Sequence, residues 1–190
     1  MVARGLRQQE HGKVLLLVQG DGSAKFVDSR SGKVLAQRTL MEGGITKVVS
    51  DDLASHRLAL VGADGKVLIA RHTYETRYDE KNKSYIAPGW EFPLGEAPMA
   101  LSDTPLRAFA FRDSGSTIDL ITIDEDNVAA QKHFERVENF MTGQSELQAS
   151  SVLALPEPSA SVDEAFLSGD GQWLFLLEKH RQIEVLDLRA

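Results

Sequence analysis

One pattern comes round several times in this chain, and it limits the fold more than any single residue does. An apolar run enters a tight polar turn, a second apolar run leaves it, and another turn follows. Val48-Val49-Ser50-Asp51-Asp52 leads to Leu58-Ala59-Leu60-Val61. Phe109-Ala110-Phe111-Arg112-Asp113-Ser114-Gly115 leads to Ile118-Asp119-Leu120-Ile121. Ala165-Phe166-Leu167-Ser168-Gly169-Asp170-Gly171 leads to Trp173-Leu174-Phe175-Leu176-Leu177. A unit this small cannot bury its own apolar side. It has to stack on a neighbour, so the repeats predict an array of similar units.

The second run of each unit enters a hairpin. Val14–Val18 turns at Gly20-Asp21-Gly22 and returns through Lys25-Phe26-Val27, and Leu58–Val61 turns at Ala63-Asp64-Gly65 and returns through Val67-Leu68-Ile69. Asp-Gly supplies the positive φ that a tight hairpin needs. Ile118–Ile123 turns at Asp124-Glu125-Asp126-Asn127, and Leu174–Leu177 turns at Lys179-His180-Arg181 into the alternating run Ile183-Glu184-Val185-Leu186. Ser29-Arg30-Ser31-Gly32 adds a further turn before Val34-Leu35-Ala36. Four units result, at about 2–40, 44–96, 98–156 and 160–190, with a weak first strand in the first and no last strand in the fourth. Short strands in units of this length match the blades of a β-propeller. The expectation is therefore an all-β, antiparallel, β-propeller-like domain over 1–190, with about four blades forming an arc of a larger propeller. No Trp-Asp dipeptide closes a unit, so the pattern is WD40-like without being a standard WD40 repeat. An unclosed arc leaves strand edges exposed, which predicts self-association through those edges.

Two insertions interrupt the rhythm. Tyr78–Trp90 is polar and holds Pro88-Gly89, and it reads as a long hairpin tip or loop. Glu135–Ser151, with Met141-Thr142-Gly143 and few strand formers, reads as the place for a short helix. Pro156, Pro158 and Ser159 form a connector.

The chain has 190 residues and a net charge of −7. The acidity argues against a nucleic-acid binder, which usually shows a basic face. With no cysteine, disulfides and thiolate metal sites are impossible. No apolar stretch approaches the roughly 18 residues that a membrane-crossing helix needs. Arg4, Arg7, Glu10 and His11 break up the start, so no signal peptide is expected there. Ile183–Leu188 reads as a strand lying at the very end, which predicts a longer parent polypeptide.

Motifs for chemistry are sparse. His11, His56, His72, His133 and His180 include no pair at the helical metal-binding spacing and no HExxH, and they read as exposed or capping histidines. Asp124-Glu125-Asp126-Asn127 lacks the glycine and distant glutamate of a calcium loop and reads as a solvated hairpin tip. Asp51-Asp52 sits in a turn without an opposing carboxylate. Gly12-Lys13, Gly32-Lys33 and Gly65-Lys66 are turn exits, since none is followed by Ser or Thr at the P-loop offset. GxSxG is absent, Ser114-Gly115-Ser116 is hairpin punctuation, and Asn82-Lys83-Ser84 is a formal glycosylation tripeptide. Trp90 is expected beside Phe92, and Trp173 in the core of the last unit. No catalytic, cofactor-binding or metal-ligating residue is assigned, and the expectation is a non-enzymatic protein without cofactors.

One set of words is more distinctive than a generic blade. Arg71-His72-Thr73-Tyr74, Tyr78, Ile86-Ala87-Pro88, Phe92-Pro93-Leu94-Gly95-Glu96-Ala97-Pro98 and Glu138-Asn139-Phe140-Met141-Thr142-Gly143 resemble the extra soluble domain of large phosphate ABC transporter permeases. In that family the domain follows the first transmembrane helix and precedes the permease core. The resemblance runs over most of the chain and carries no catalytic motif. It implies a bacterial, periplasm-facing part of an inner-membrane protein that imports inorganic phosphate. It also implies other phosphate transporter subunits or the periplasmic phosphate-binding protein as partners, and no nucleic acid. Transport residues of the family lie in membrane helices and a coupling loop, so none carries over. The alternative is a free-standing β-propeller that binds a ligand or catalyses a reaction at loops gathered from several blades, unrelated to transport.

Overall fold

Aspartates and glycines punctuate this chain into strands, and the turns show how. At the first hairpin Asp21 Oδ1 accepts from Ser23 N and Oγ, and Gly22 takes a φ of 89°. At the second, Asp64 Oδ1 accepts from Lys66 N while Gly65 takes a φ of 75°. Asp28 holds the next turn by accepting from Arg30 N and Ser31 N, ahead of Gly32 at 70°. An acceptor side chain plus a residue that tolerates positive φ is sufficient to reverse a strand locally.

The structure, a computed structural model, describes residues 2–5, 14–50, 56–81, 83–139, 141, 144–159, 161–178 and 181–189. Asp51-Asp52, His11, Gly12-Lys13, Asn82, Phe140, Thr142-Gly143 and Lys179-His180 lie outside these residues.

Sheet one contains β1 (Val2–Gly5), β2 (Val14–Val18), β3 (Ser23–Asp28) and β4 (Val34–Thr39). Sheet two contains β5 (Ile45–Val49), β6 (Arg57–Gly62), β7 (Val67–Tyr78) and β8 (Ser84–Glu91). Sheet three contains β9 (Leu106–Asp113), β10 (Thr117–Asp124), β11 (Ala129–Asn139) and β12 (Gln144–Ala154). Sheet four contains β13 (Glu164–Leu167), β14 (Trp173–Glu178) and β15 (Gln182–Asp187). Each sheet is a meander in which consecutive strands are neighbours, and the chain is all-β, with no helix among the described residues. The four sheets run from Val2 to Thr39, Ile45 to Glu91, Leu106 to Ala154 and Glu164 to Asp187, and the last has three strands.

The chain divides into two compact units, one of 1–48 with 53–99 and one of 49–52 with 100–190. In the first, Val14, Leu16 and Phe26 of sheet one pack with Leu58, Leu60 and Leu68 of sheet two. In the second, Ala108, Ala110, Ile121 and Ile123 of sheet three pack with Ala165, Leu174 and Leu176 of sheet four. Every one of these side chains is essentially out of water, and burying a large aliphatic one contributes roughly 1.5–3 kcal/mol.

Three expectations are corrected here. The segment 135–151 holds no helix in its described residues. β11 and β12 instead continue as a long hairpin, with Glu135 opposite Gln148 and Glu138 opposite Ser145. Cross-strand pairing supplies what local propensity lacks, with a bulge between His133 and Phe134 taking up the register shift. The polar stretch 78–90 is mostly strand as well: β7 and β8 pair as a long hairpin from Arg71–Glu91 out to Tyr78–Ser84. Trp173 does not anchor the core. The buried residues of β14 are Leu174 and Leu176, and Trp173 lies on the opposite parity, half-buried under the Arg189 guanidinium at 4.6 Å.

Within the second unit, the connector from β12 to β13 is pinned along its length. Leu155 N donates to Ala129 O at 2.9 Å. Asn127, with a φ of 66°, donates from Nδ2 to Pro158 O at 3.1 Å. Ser159 donates from N and Oγ to Glu184, Arg107 donates to Ser161 Oγ, and Val162 is buried.

Candidate functional site

The distinctive words of the middle of the chain fall on β7 and β8, where the pleat sorts them by face. His72, Tyr74 and Trp90 come together because His72 pairs with Trp90 across the two strands and Tyr74 lies two residues along β7 on the same face. Phe26 of β3 meets all three, at centroid distances of 6.4, 5.8 and 5.1 Å respectively. His56 completes the cluster from just before β6, its ring 4.5 Å from His72 and 5.6 Å from Tyr74. Trp90 stacks on Phe92 at 6.5 Å and 23°, as the sequence predicted. Arg38 of β4 lies 4.8 Å over the Phe92 ring and pairs with Glu96 at 2.7 Å, which ties sheet one to the segment after β8.

The histidines correct a sequence expectation. His72 is neither exposed nor capping: it is 2% exposed, with Nδ1 2.9 Å from Nδ1 of His56. One imidazole donates in that contact and the other accepts. Burial, reinforced by the His56 charge, pushes His72 down to about 3, so it is neutral at physiological pH. Its Nε2 is buried without a hydrogen-bond partner among the described residues. Burial also raises Tyr74, keeping the phenol protonated. Chemically the cluster is aromatic: two imidazoles, a phenol, an indole and two phenyl rings, most of them in edge-to-face or stacked contacts.

Beside it, the last strands of the two sheets bound a groove of 860 Å³. Asp28, Lys33 and Val34 line it from sheet one, and Thr76, Tyr85 and Pro88 from sheet two. Ligand sites commonly have this volume. The β8 words Ile86-Ala87-Pro88 form part of its wall.

His133 is central in β11. Its Nδ1 meets Asp119 Oδ1 at 2.5 Å and its Nε2 meets Glu135 Oε1 at 3.2 Å. Partial burial works against the charged ring, but the hydrogen bonds and charges of Asp119 and Glu135 outweigh it and hold His133 above its ordinary pKa. Gln131 Nε2 also donates to Asp119. At the expected hairpin tip, Glu125 and Asp126 are exposed, whereas Asp124 is a buried cap that accepts from Val128 N and Ser102 Oγ. Burial raises its pKa, but these hydrogen bonds prevail and lower it overall. No cluster of three or more metal-ligating side chains exists among the described residues. Sequence reasoning missed the His56–His72 pair because the partners come from different strands. The one available signal was the position of His72 inside the apolar run from Val67.

Solved structures resemble the architecture. The β-propeller domain of Myceliophteria thermophila Cps50 (Swd1) matches 98% of this chain and 51% of its own, at 12% identity and a TM-score of 0.59. The WD40 β-propeller domain of Doa1 matches 100% of this chain and 51% of its own, at 12% identity and a TM-score of 0.51. The fold is that of a β-propeller. The four sheets are its blades, and the chain spans about half the length of the propeller domains it matches. No family model matches the chain, and no curated protein matches it by sequence.

Proposed function

We propose that this chain is a non-enzymatic interaction platform: the periplasm-facing propeller segment of an inner-membrane phosphate ABC transporter permease, serving phosphate import by docking another protein of the system. The observation that carries this reading is where the resembling words lie. His72, Tyr74 and Phe92 sit in the aromatic cluster, and Ile86-Ala87-Pro88 wall the adjoining groove. A word set shared for packing alone would scatter over four blades. Apart from Glu138-Asn139-Phe140-Met141-Thr142-Gly143, which begins at the end of β11, this one falls on the β7–β8 hairpin and its exit.

Such a groove, with an exposed tyrosine, a proline and an aspartate–lysine pair at its rim, suits a protein surface better than a bare anion. Inorganic phosphate needs convergent cationic donors, and among the described residues Lys33 is the one basic side chain lining the groove. The phosphate-loaded periplasmic binding protein is the partner this reading names. Calorimetry is expected to show binding of that protein to the chain and no micromolar binding of phosphate alone. Tight binding of free phosphate, or a parent gene that encodes no membrane helices around this segment, would overturn the proposal.

A further inference from the structure

The groove beside the aromatic cluster lies within the first compact unit, and its lining defines its shape. Residues 33–36, at the start of β4, line one side, and residues 84–88, at the start of β8, line the other. Val14 of β2, out of water, lines it between them in the core. Four to five residues at the rise of a strand give a length of about 15 Å. The 860 Å³ volume over that length means a cross-section of about 57 Å², or about 8 Å across. An α-helix with its side chains needs about 10–12 Å. A single extended chain fits, and about five residues of it span the length.

The walls are mostly apolar. Val34 is exposed and Leu35 and Ala36 are half-buried on one side, and Ile86, Ala87 and Pro88 are half-buried on the other. β4 and β8 each have a β-neighbour on one side only. Strand edges of this kind offer N–H and C=O groups to an added segment. The two charged residues of the lining differ in what holds them. Asp28 is committed to its own turn, with Oδ1 accepting from Arg30 N, Ser31 N and Ser31 Oγ. Lys33 is exposed, and its ammonium has no hydrogen bond or ion pair among the described residues.

We infer that the groove holds one extended segment of the partner protein, with apolar side chains at alternate positions against the walls and an acidic side chain at Lys33. The inference rests on the reading of the chain as a docking platform and says what that platform grips. Charge complementarity selects the occupant. The unmatched charge in the lining is a cation, so an acidic residue gains a partner there and a basic one gains none. Alternation follows from extended backbone, which turns successive side chains to opposite sides. A bare carboxylate or phosphate lacks the apolar body that the rest of the groove would cover.

Nitrogen–proton correlation NMR of the 190-residue chain tests this. The capped pentapeptide EVTVT is the probe, KVTVT its charge-reversed control, and sodium acetate the bare carboxylate. At millimolar concentration EVTVT is expected to shift the amides of residues 33–36 and 84–87 saturably, and KVTVT and acetate are not. Lys33→Glu should leave the rest of the spectrum in place, weaken EVTVT about fivefold or more, and admit KVTVT instead. Absent shifts with EVTVT, equal shifts with KVTVT on the wild-type chain, or equal shifts with acetate would overturn the inference.

Calorimetry with the phosphate-loaded binding protein separates the groove from the choice of partner. Weaker binding to Lys33→Glu than to the wild-type chain is expected. Equal binding to both overturns the groove as the docking site and leaves the platform reading in place. Binding to neither, with EVTVT still held, overturns that partner and supports the chemistry assigned to the groove.

Discussion

Gly22 offers the sharpest test of how the first hairpin is built. Its φ is 89°, and a Cβ placed there would sit 1.7 Å from Met41 O and 2.9 Å from Met41 C. The segment cannot move away freely, because Gly22 O accepts from Leu40 N at 2.8 Å and from Met41 N at 3.3 Å. Three costs follow from Gly22→Ala. The left-handed backbone costs an L-residue about 1–2 kcal/mol. Separating the two segments loses hydrogen bonds worth about 1 kcal/mol each. Displacing packed neighbours, here buried Leu40 and Met41, adds about 1–3 kcal/mol. A loss of roughly 4–7 kcal/mol results, a large part of a typical domain stability. Gly32 is the control: its φ is 70°, yet a Cβ at that position would meet nothing within 4 Å. Gly32→Ala should cost about 1 kcal/mol at most, because reduced freedom of the unfolded chain offsets part of the strain. Urea unfolding followed by tryptophan fluorescence reads both, with an expected midpoint difference of about 1.5–3 M for a slope near 2 kcal/mol/M. Equal midpoints for the two variants would refute the steric argument.

Four further outcomes are expected. Leu174→Ala should destabilise the chain by about 2–5 kcal/mol, and Trp173→Ala by clearly less, as judged by urea midpoints; the reverse order would restore Trp173 to the core. His72 has a folded pKa below its unfolded value of 6.5, so the unfolded state takes up a proton first, and stability should fall as pH drops from 6.5 toward about 3. Nitrogen NMR of the imidazoles should find His72 neutral at pH 5, and His72→Phe should flatten that part of the stability curve. His133 has the opposite sign: its folded pKa is raised, so its contribution is complete below 6.5 and is lost as pH climbs through the folded value. Comparing His133→Gln with the parent chain at pH 5.5 and pH 8.5 should show the larger difference at the lower pH.

The hairpins were legible because their information is local. Gly20-Asp21-Gly22 and Ala63-Asp64-Gly65 carry both the acceptor and the permissive backbone within three residues, and the apolar runs on either side mark the strands. β11 and β12 were not legible. Val137 and Val152 are half-exposed or more, so the run shows little of the alternation that burial on one face imposes, and the stabilising partner lies across the hairpin. The aromatic cluster was hidden for a related reason. Phe26, His56, His72 and Trp90 come from separate stretches of two sheets, and only the pairing of β7 with β8 brings the last two into one row. Trp173 misled because size suggested a core residue, whereas parity along β14 gives the core to Leu174 and Leu176.

The link between the last two blades looks like a hinge by composition, rich in proline and serine and free of regular strand. Its anchors say otherwise. With the Pro158 carbonyl held by Asn127, Ser159 by Glu184, Ser161 by Arg107, and Val162 sealed in the core, the stretch behaves as a splint. A force applied at blade four is passed to blade three rather than dissipated, and proteases that favour slack polypeptide should find little purchase there.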